Sequence, residues 1–261
     1  MTPLELAFDR YGDDGLPLII LHGLFGARRN WNAIGRKLST CYSVYLLDLR
    51  NHGASPHSTS MDIPHLAADL QYFLDQHGID KALFLGHSLG GKAAMWLALT
   101  KPESVIGFIA VDIAPVSYAH NFDEIYDALR SLDLASLVSR QDADEKLSRS
   151  ISHPGLRQFL LQNLTVGQKG YVWRLDLDIL QTATPDLLSF PATDNIEPYA
   201  GPAFLLRAEN SKYVLPEHGQ EIKQLFPCAD VVLLENSGHW VNVDQPDRVL
   251  ELIRSFGQRL G

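Results

Sequence analysis

Short apolar runs alternate along the chain with segments whose apolar residues recur at helical spacing. The runs predict strands, and several are continuous in apolar residues, as in strands that are covered on both faces of a sheet. The predicted strands are Leu4–Arg10, Pro17–His22, Tyr42–Asp48, Ala82–Leu85, Val105–Asp112, Ala203–Ala208 and Asp230–Leu234.

Amphipathic segments between these runs predict helices. Two of them carry a proline at the start, where the first helical turn needs no N–H donor. The alternation of strands and helices predicts a mostly parallel sheet with right-handed crossovers. The predicted helices are Trp31–Ser39, Pro64–His77, Lys92–Thr100, Glu217–Phe226 and Pro246–Phe256.

The alternation stops between about Pro115 and Pro198, where helical patterns follow one another without strands. An insertion at this point of the chain lies over the strand ends, where α/β sheets bind ligands. We therefore expect a core of residues 1–114 and 199–261 and a helical cap, or lid, of residues 115–198. The alternative is a helical layer that does not contact substrate. The helical patterns cover Phe122–Leu137, Asp142–Ile151 and Leu156–Leu164.

Composition and charge exclude several classes of function. The 261 residues carry a formal net charge of −9, which argues against binding to nucleic acid or to anionic lipid. Cys41 and Cys228 are expected to be free thiols. The first residues do not predict a secretory signal, and no apolar run is as long as a membrane span. We therefore expect a cytoplasmic protein, either a monomer or a small homo-oligomer.

The segment Gly86-His87-Ser88-Leu89-Gly90 lies between a predicted strand and a predicted helix. This is the context of a nucleophile elbow, a sharp turn with the nucleophile at the centre of Gly-x-Ser-x-Gly. The glycines allow strand and helix to approach closely, and the helix amino terminus favours negative charge. Ser88 is therefore the predicted nucleophile of covalent acyl transfer.

A second turn, His22-Gly23-Leu24-Phe25-Gly26, also follows a strand and precedes a helix. A backbone N–H of such a turn can stabilise an oxyanion together with the N–H of Leu89, the residue after the nucleophile. We expect Leu24 to be the first donor, with Phe25 as its rival. The His22 side chain is expected only to bind backbone.

The general base is expected last in the chain order of nucleophile, acid and base. Among the ten histidines, His239 lies in a loop after the last strand, follows a glycine and precedes the last helix. It is the predicted base.

The acid has two candidates. In folds of this kind it usually follows the strand after the inserted segment, but Ser211 stands at that place and only Glu209 is near it. Asp112 ends the strand that follows the nucleophile, in an apolar run where an unpaired charge would be costly. We predict that Asp112 accepts the Nδ1–H of His239, with Glu209 as the alternative.

Taken together, five segments resemble the YbfF-like esterases of the α/β-hydrolase superfamily, which are related to eukaryotic abhydrolase-domain proteins. They are Leu-His-Gly-Leu-Phe-Gly (21–26), Asp-Leu-Arg-Asn-His-Gly-Ala-Ser (48–55), Gly-His-Ser-Leu-Gly-Gly-Lys (86–92), Val-Asp-Ile-Ala-Pro-Val (111–116) and Gly-His-Trp-Val (238–241). The resemblance spans nearly the whole chain. It implies an α/β-hydrolase fold, with a mostly parallel central sheet, helices on both faces and a helical lid inserted after the sixth strand.

The resemblance also implies an activity, the hydrolysis of short to medium acyl esters and of acyl thioesters, with Asp112 as the acid. Such chemistry needs no metal and no organic cofactor. Four aromatic residues are candidates for an acyl pocket, with packing in the core or cap as the alternative for each: Phe25, Tyr118, Tyr126 and Trp240.

Two other functions stay open at this point. A cofactor-free lyase or carbon–carbon hydrolase could use the same fold and residues, and it would be inert towards simple esters. A non-catalytic receptor on this fold would bind a ligand without turnover.

Overall fold

The computed structural model of the chain describes residues 1–168 and 170–260. A central sheet has the strand order β1-β3-β2-β4-β5-β8-β9, and β6 and β7 form a separate hairpin. In the central sheet β1 is antiparallel to β3, and the other neighbours pair in parallel. The strands are β1 Phe8–Tyr11, β2 Leu16–Leu21, β3 Tyr42–Leu47, β4 Ala82–His87, β5 Val105–Val111, β6 Leu164–Gly167, β7 Gly170–Trp173, β8 Ala203–Ala208 and β9 Ala229–Leu234.

Helices cover both faces of this sheet. On β2, Ile19 and Leu21 pack into one hydrophobic cluster with α2, α3 and α8, while Leu18 and Ile20 pack into the other with α1 and α10. The alternation of side chains along a strand thus explains why these runs are apolar throughout. The helices are α1 Asn32–Leu38, α2 Ile63–Gln76, α3 Leu89–Thr100, α4 Asp123–Arg130, α5 Arg140–Leu147, α6 Pro154–Leu161, α7 Leu177–Leu188, α8 Gly219–Leu225, α9 Val241–Asp244 and α10 Pro246–Gln258.

The predicted α/β architecture is confirmed, with one shift at the amino terminus. The first strand was expected from Leu4 but begins at Phe8. The preceding backbone binds elsewhere, because the Leu4 N–H donates to Asp69 Oδ1 at 2.7 Å and the Ala7 N–H to Ser55 Oγ at 2.9 Å.

The inserted segment between β5 and β8 differs from expectation in three ways. It follows the fifth strand rather than the sixth, because a single antiparallel strand precedes the parallel part of the sheet. It contains the antiparallel hairpin of β6 and β7, although helices alone were expected. It also contains α7, which was not predicted because Pro185, a residue type that usually ends a helix, lies in its last turn.

All three predicted helices of this segment end earlier in the structure, and α5 ends at Leu147 rather than at Ile151. The pattern from Phe122 supports α4 only to Arg130, since the Asp133 carboxylate then accepts the Ala135 N–H and begins a separate 3₁₀ turn. The helix predicted to Leu164 ends at Leu161. Over the described residues, no helix combines the length and the apolar character that a membrane span needs.

Candidate active site

Ser88 occupies a strained turn between β4 and α3. Its φ of 51° and ψ of −114° lie outside the regions that side chains favour, and strain of this kind clusters at functional sites. A Cβ on Gly86 would lie 2.2 Å from the Gly90 carbonyl oxygen, and a Cβ on Gly90 would lie 2.6 Å from Leu21 Cβ. Both positions therefore require glycine, as a nucleophile elbow does.

The loop after β2 and the end of β5 flank Ser88. The Ser88 N–H donates to the Val111 carbonyl at 3.0 Å, and Leu24 and Leu89 line one small cavity with Ser88. In residues 1–168 and 170–260, no protein acceptor is found for the N–H of Leu24 or of Leu89. The N–H of Phe25 differs, because it donates to His52 Nε2 at 3.3 Å. Within the described residues the Leu24 N–H is therefore without a protein acceptor, whereas the N–H of its rival, Phe25, has one.

Two buried histidines hold the loop after β2 in shape. His22 Nδ1 donates to the Gly23 carbonyl at 2.8 Å, and its Nε2 accepts the Leu49 N–H at 3.0 Å. His52 Nδ1 donates to the Arg50 carbonyl at 2.9 Å. Burial lowers the pKa of His22 and lowers the pKa of His52 to about 3, so both imidazoles are neutral. Both ring nitrogens of His22 thus bind backbone atoms, as expected from the sequence.

Asp112 is buried at the end of β5 with φ at 49°. Its Oδ2 accepts from His239 Nδ1 at 2.7 Å and from Ser211 Oγ, and its Oδ1 accepts the Ala208 N–H at 3.2 Å. Three donors therefore compensate the burial of this carboxylate.

The alternative acid, Glu209, is directed elsewhere. Its carboxylate accepts the Asn236 N–H at 2.8 Å, which holds the turn before the His239 loop. The structure therefore brings Asp112, and not Glu209, to the predicted base.

Three residues that the sequence did not assign to the site surround His239 and Asp112. The Tyr213 ring stacks on His239 with centroids 4.2 Å apart and an angle of 27° between the planes. His87 Nε2 donates to the His239 carbonyl at 2.8 Å, and burial lowers the pKa of His87 to about 3, which keeps it neutral. Ser211 was noticed only because it stands where an acid is usual. The Ser211 hydroxyl donates a hydrogen bond to Asp112, the carboxylate that contacts His239 in its place.

The cavity beside Ser88 is small and mostly apolar. Its volume of about 30 Å³ suits a single water molecule rather than an acyl chain. Tyr118, one of the four predicted pocket aromatics, lies on its wall. The other lining residues are Leu24, Ser88, Leu89, Lys92, Ile113, Phe122, Leu187, Leu188 and Tyr213.

Two of the predicted pocket aromatics, Phe25 and Tyr126, lie behind this wall instead of on it. The Phe25 ring contacts Phe122 and Tyr126 with centroids 5.8 and 5.2 Å apart. The Tyr126 hydroxyl bonds to Thr184 Oγ1 at 2.8 Å. Both residues pack between the inserted segment and the core, and Phe25 supports the wall from behind through its contact with Phe122.

A larger groove of about 450 Å³ adjoins the elbow on the other side. The fourth aromatic, Trp240, lines this groove and contacts the His153 and Phe159 rings of the inserted segment. Gly23 lines it as well, and a Cβ there would lie 3.1 Å from Ser88 Cβ. Trp240 therefore belongs to the groove and not to the apolar cavity.

Comparisons with known proteins agree with this architecture. The family model for the alpha/beta hydrolase fold matches residues 17–246. Esterase YbfF of Escherichia coli K12 is 34% identical over 241 residues, 92% of each chain. The sn-1-specific diacylglycerol lipase of Mus musculus is 38% identical over 98% of this chain and 86% of its own. A solved structure of a marine microorganism esterase superposes with a TM-score of 0.94 at 35% identity, over 97% of this chain and 99% of the other.

Proposed function

The chain belongs to the α/β-hydrolase family and is an ester hydrolase similar to YbfF, and from this premise we propose that it acts through an acyl-enzyme on Ser88. The observation that carries the proposal is the hydrogen bond of 2.7 Å from His239 Nδ1 to the buried Asp112. That bond leaves Nε2 of His239 as the atom that can accept a proton.

In the proposed mechanism, His239 Nε2 removes the proton of Ser88 Oγ, which attacks the ester carbonyl. The N–H groups of Leu24 and Leu89 bind the developing oxyanion, and a single donor of this kind contributes about 3–4 kcal/mol to barrier lowering. The leaving alcohol takes the proton from His239. Water, activated by the same imidazole, then hydrolyses the acyl-enzyme and regenerates Ser88.

We propose that residues 115–198 form a cap over a core of residues 1–114 and 199–261. Tyr118, Leu187 and Leu188 of this segment line the cavity of Ser88, and Phe159 of α6 lines the groove beside it. The acyl group occupies the apolar cavity after it widens, and the leaving group occupies the groove. Acyl groups of short to medium length are proposed because they need the smallest widening of this cavity.

Acyl thioesters are included in the proposal. Their carbonyl carbon reacts with the same nucleophile, and a thiol leaves through the same groove. The names of two relatives, an esterase and a diacylglycerol lipase, support carboxylic esters as the principal class.

The test is a screen of p-nitrophenyl esters and acyl thioesters of graded chain length with the native chain and with Ser88→Ala. The expected result is hydrolysis by the native protein and loss of it in the variant by about 10⁶-fold, with an unchanged melting temperature. Inertness of the native protein towards every ester would instead favour a lyase, a carbon–carbon hydrolase or a receptor.

A further inference from the structure

Lys92 carries a buried amino group that no step of the proposed mechanism uses. It lies one helical turn after Ser88 in α3, and its N–H donates to the Ser88 carbonyl at 3.1 Å. The residue is 1% exposed. Among the described residues, no carboxylate lies within ion-pair distance of Nζ, so its positive charge needs another partner.

The carboxyl end of α7 supplies that partner. Lys92 Nζ donates to the carbonyls of Leu188 at 2.5 Å, Ser189 at 2.9 Å and Leu187 at 3.4 Å. Carbonyls at a helix end lack partners within the helix and carry its negative dipole. Nζ also lies 4.8 Å from the centroid of the Tyr118 ring, at cation–π distance.

These contacts lie at the wall of the cavity beside the nucleophile. The residues whose carbonyls Lys92 binds, Leu187 and Leu188, also form the cavity wall together with Tyr118. Tyr118 is itself attached there, because its N–H donates to the Leu188 carbonyl at 3.0 Å. Since the cavity holds about 30 Å³, an acyl chain enters only when this wall moves away from Ser88.

We propose that Lys92 is a positioning residue that sets acyl-chain length: its amino group fastens the carboxyl end of α7 above Ser88 and so fixes the wall of the acyl cavity. The inference rests on the proposed acylation of Ser88. Short acyl groups need a small displacement of the wall, whereas longer ones must break the contacts between Nζ and the three carbonyls.

The charge of Lys92 gives this contact a dependence on pH. Burial lowers the pKa of Lys92 to about 7. The titratable groups that face it are Tyr118, whose pKa is raised by burial, and His120, whose pKa is lowered by burial and by the Lys92 charge. Above neutrality Lys92 loses a donor and its charge, which weakens its attachment to the helix end. Preference for longer acyl chains is therefore expected to increase as pH rises through about 7.

The kinetic test compares kcat and KM for p-nitrophenyl butyrate and decanoate in Lys92→Met, with Lys101→Met at the exposed end of α3 as the matched control. We expect the decanoate-to-butyrate ratio of kcat/KM to rise by about tenfold or more in Lys92→Met, mainly through a lower KM for decanoate. The control should retain the native ratio. Leu188→Ala, which shortens the wall directly, should shift the ratio in the same direction.

A second measurement does not depend on catalysis. Hydrogen exchange followed by mass spectrometry should show faster exchange at residues 186–190 in Lys92→Met and not in Lys101→Met. Native exchange there together with a native chain-length ratio would overturn the proposal, whatever the outcome for Ser88. If Lys92→Met does not fold, the same assay is made with the native protein from about pH 6 to 8.5. A decanoate-to-butyrate ratio of kcat/KM that stays constant over this range would contradict the inference.

Discussion

Replacing Asp112 with asparagine tests the proposed acid with little change in shape. The two carboxylate oxygens have different partners: Oδ1 accepts from the Ala208 N–H, and Oδ2 accepts from His239 and Ser211. If the Asn amide oxygen faces Ala208, its NH₂ faces His239 and forces Nδ1 to become the acceptor. If the amide flips, its NH₂ opposes the N–H of Ala208. Both arrangements are unfavourable, and the first gives the wrong tautomer for catalysis.

The magnitude follows from that tautomer. The equivalent change in a serine-protease triad lowers kcat by about 10⁴-fold, which is about 5 kcal/mol in the activation barrier. We expect Asp112→Asn to lose a similar factor in kcat on p-nitrophenyl butyrate, with KM changed little. Circular dichroism and thermal unfolding would establish that the variant is folded.

Glu209→Gln is the matched control, because glutamine can still accept the Asn236 N–H that Glu209 binds. We expect its kcat to stay within about threefold of the native value, since a surface hydrogen bond contributes little. A loss below tenfold in Asp112→Asn, or a larger loss in Glu209→Gln, would refute the assignment of the acid.

Three further predictions concern the surroundings of the triad. Ser211→Ala removes a donor to the Asp112 carboxylate and should lower kcat by about tenfold, as measured by steady-state kinetics; native kcat would assign Ser211 to packing alone. Because the pKa values of buried His52 and His87 are about 3, unfolding takes up protons below about pH 6.5. As the pH falls below about 6.5, the free energy of unfolding should therefore decrease by ~1.4 kcal/mol per pH unit for each imidazole. Urea titrations that give equal stability at pH 7 and pH 5 would contradict this. Gly86→Ala brings a Cβ to 2.2 Å from a carbonyl oxygen and should destabilise the fold by about 3 kcal/mol or more, as thermal unfolding would show.

The central sheet was predictable because its strands are short, apolar and covered on both faces. Side chains of runs such as Val105–Val111 pack into hydrophobic layers on both faces of the sheet, so these runs are apolar throughout and their composition predicts strands. The inserted segment carries a weaker signal. The strands β6 and β7 are largely exposed or half-buried, and Pro185 inside α7 resembles a boundary in sequence.

The candidate site also has a part that local motifs predict and a part that depends on tertiary packing. Ser88 and His239 were predictable because each lies in a short motif next to a strand end. The contact between Asp112 and His239 joins residues 127 positions apart, and it was anticipated from the adjacency of strands. The contacts of His87 and Tyr213 with the His239 loop follow from tertiary packing, which no local pattern records. Lys92 is the last residue of one of the five motif segments, but its partners at the carboxyl end of α7 lie 95 to 97 positions away.

The most direct measurement is mass spectrometry of the protein quenched during turnover of p-nitrophenyl butyrate, with peptide mapping of the adduct. The account predicts a butyryl group on Ser88, which accumulates when leaving-group release outpaces deacylation and is absent from Ser88→Ala. The same map after a fluorophosphonate should carry its adduct on Ser88, with complete loss of esterase activity. An adduct on another residue, or full ester hydrolysis by Ser88→Ala, would contradict the account.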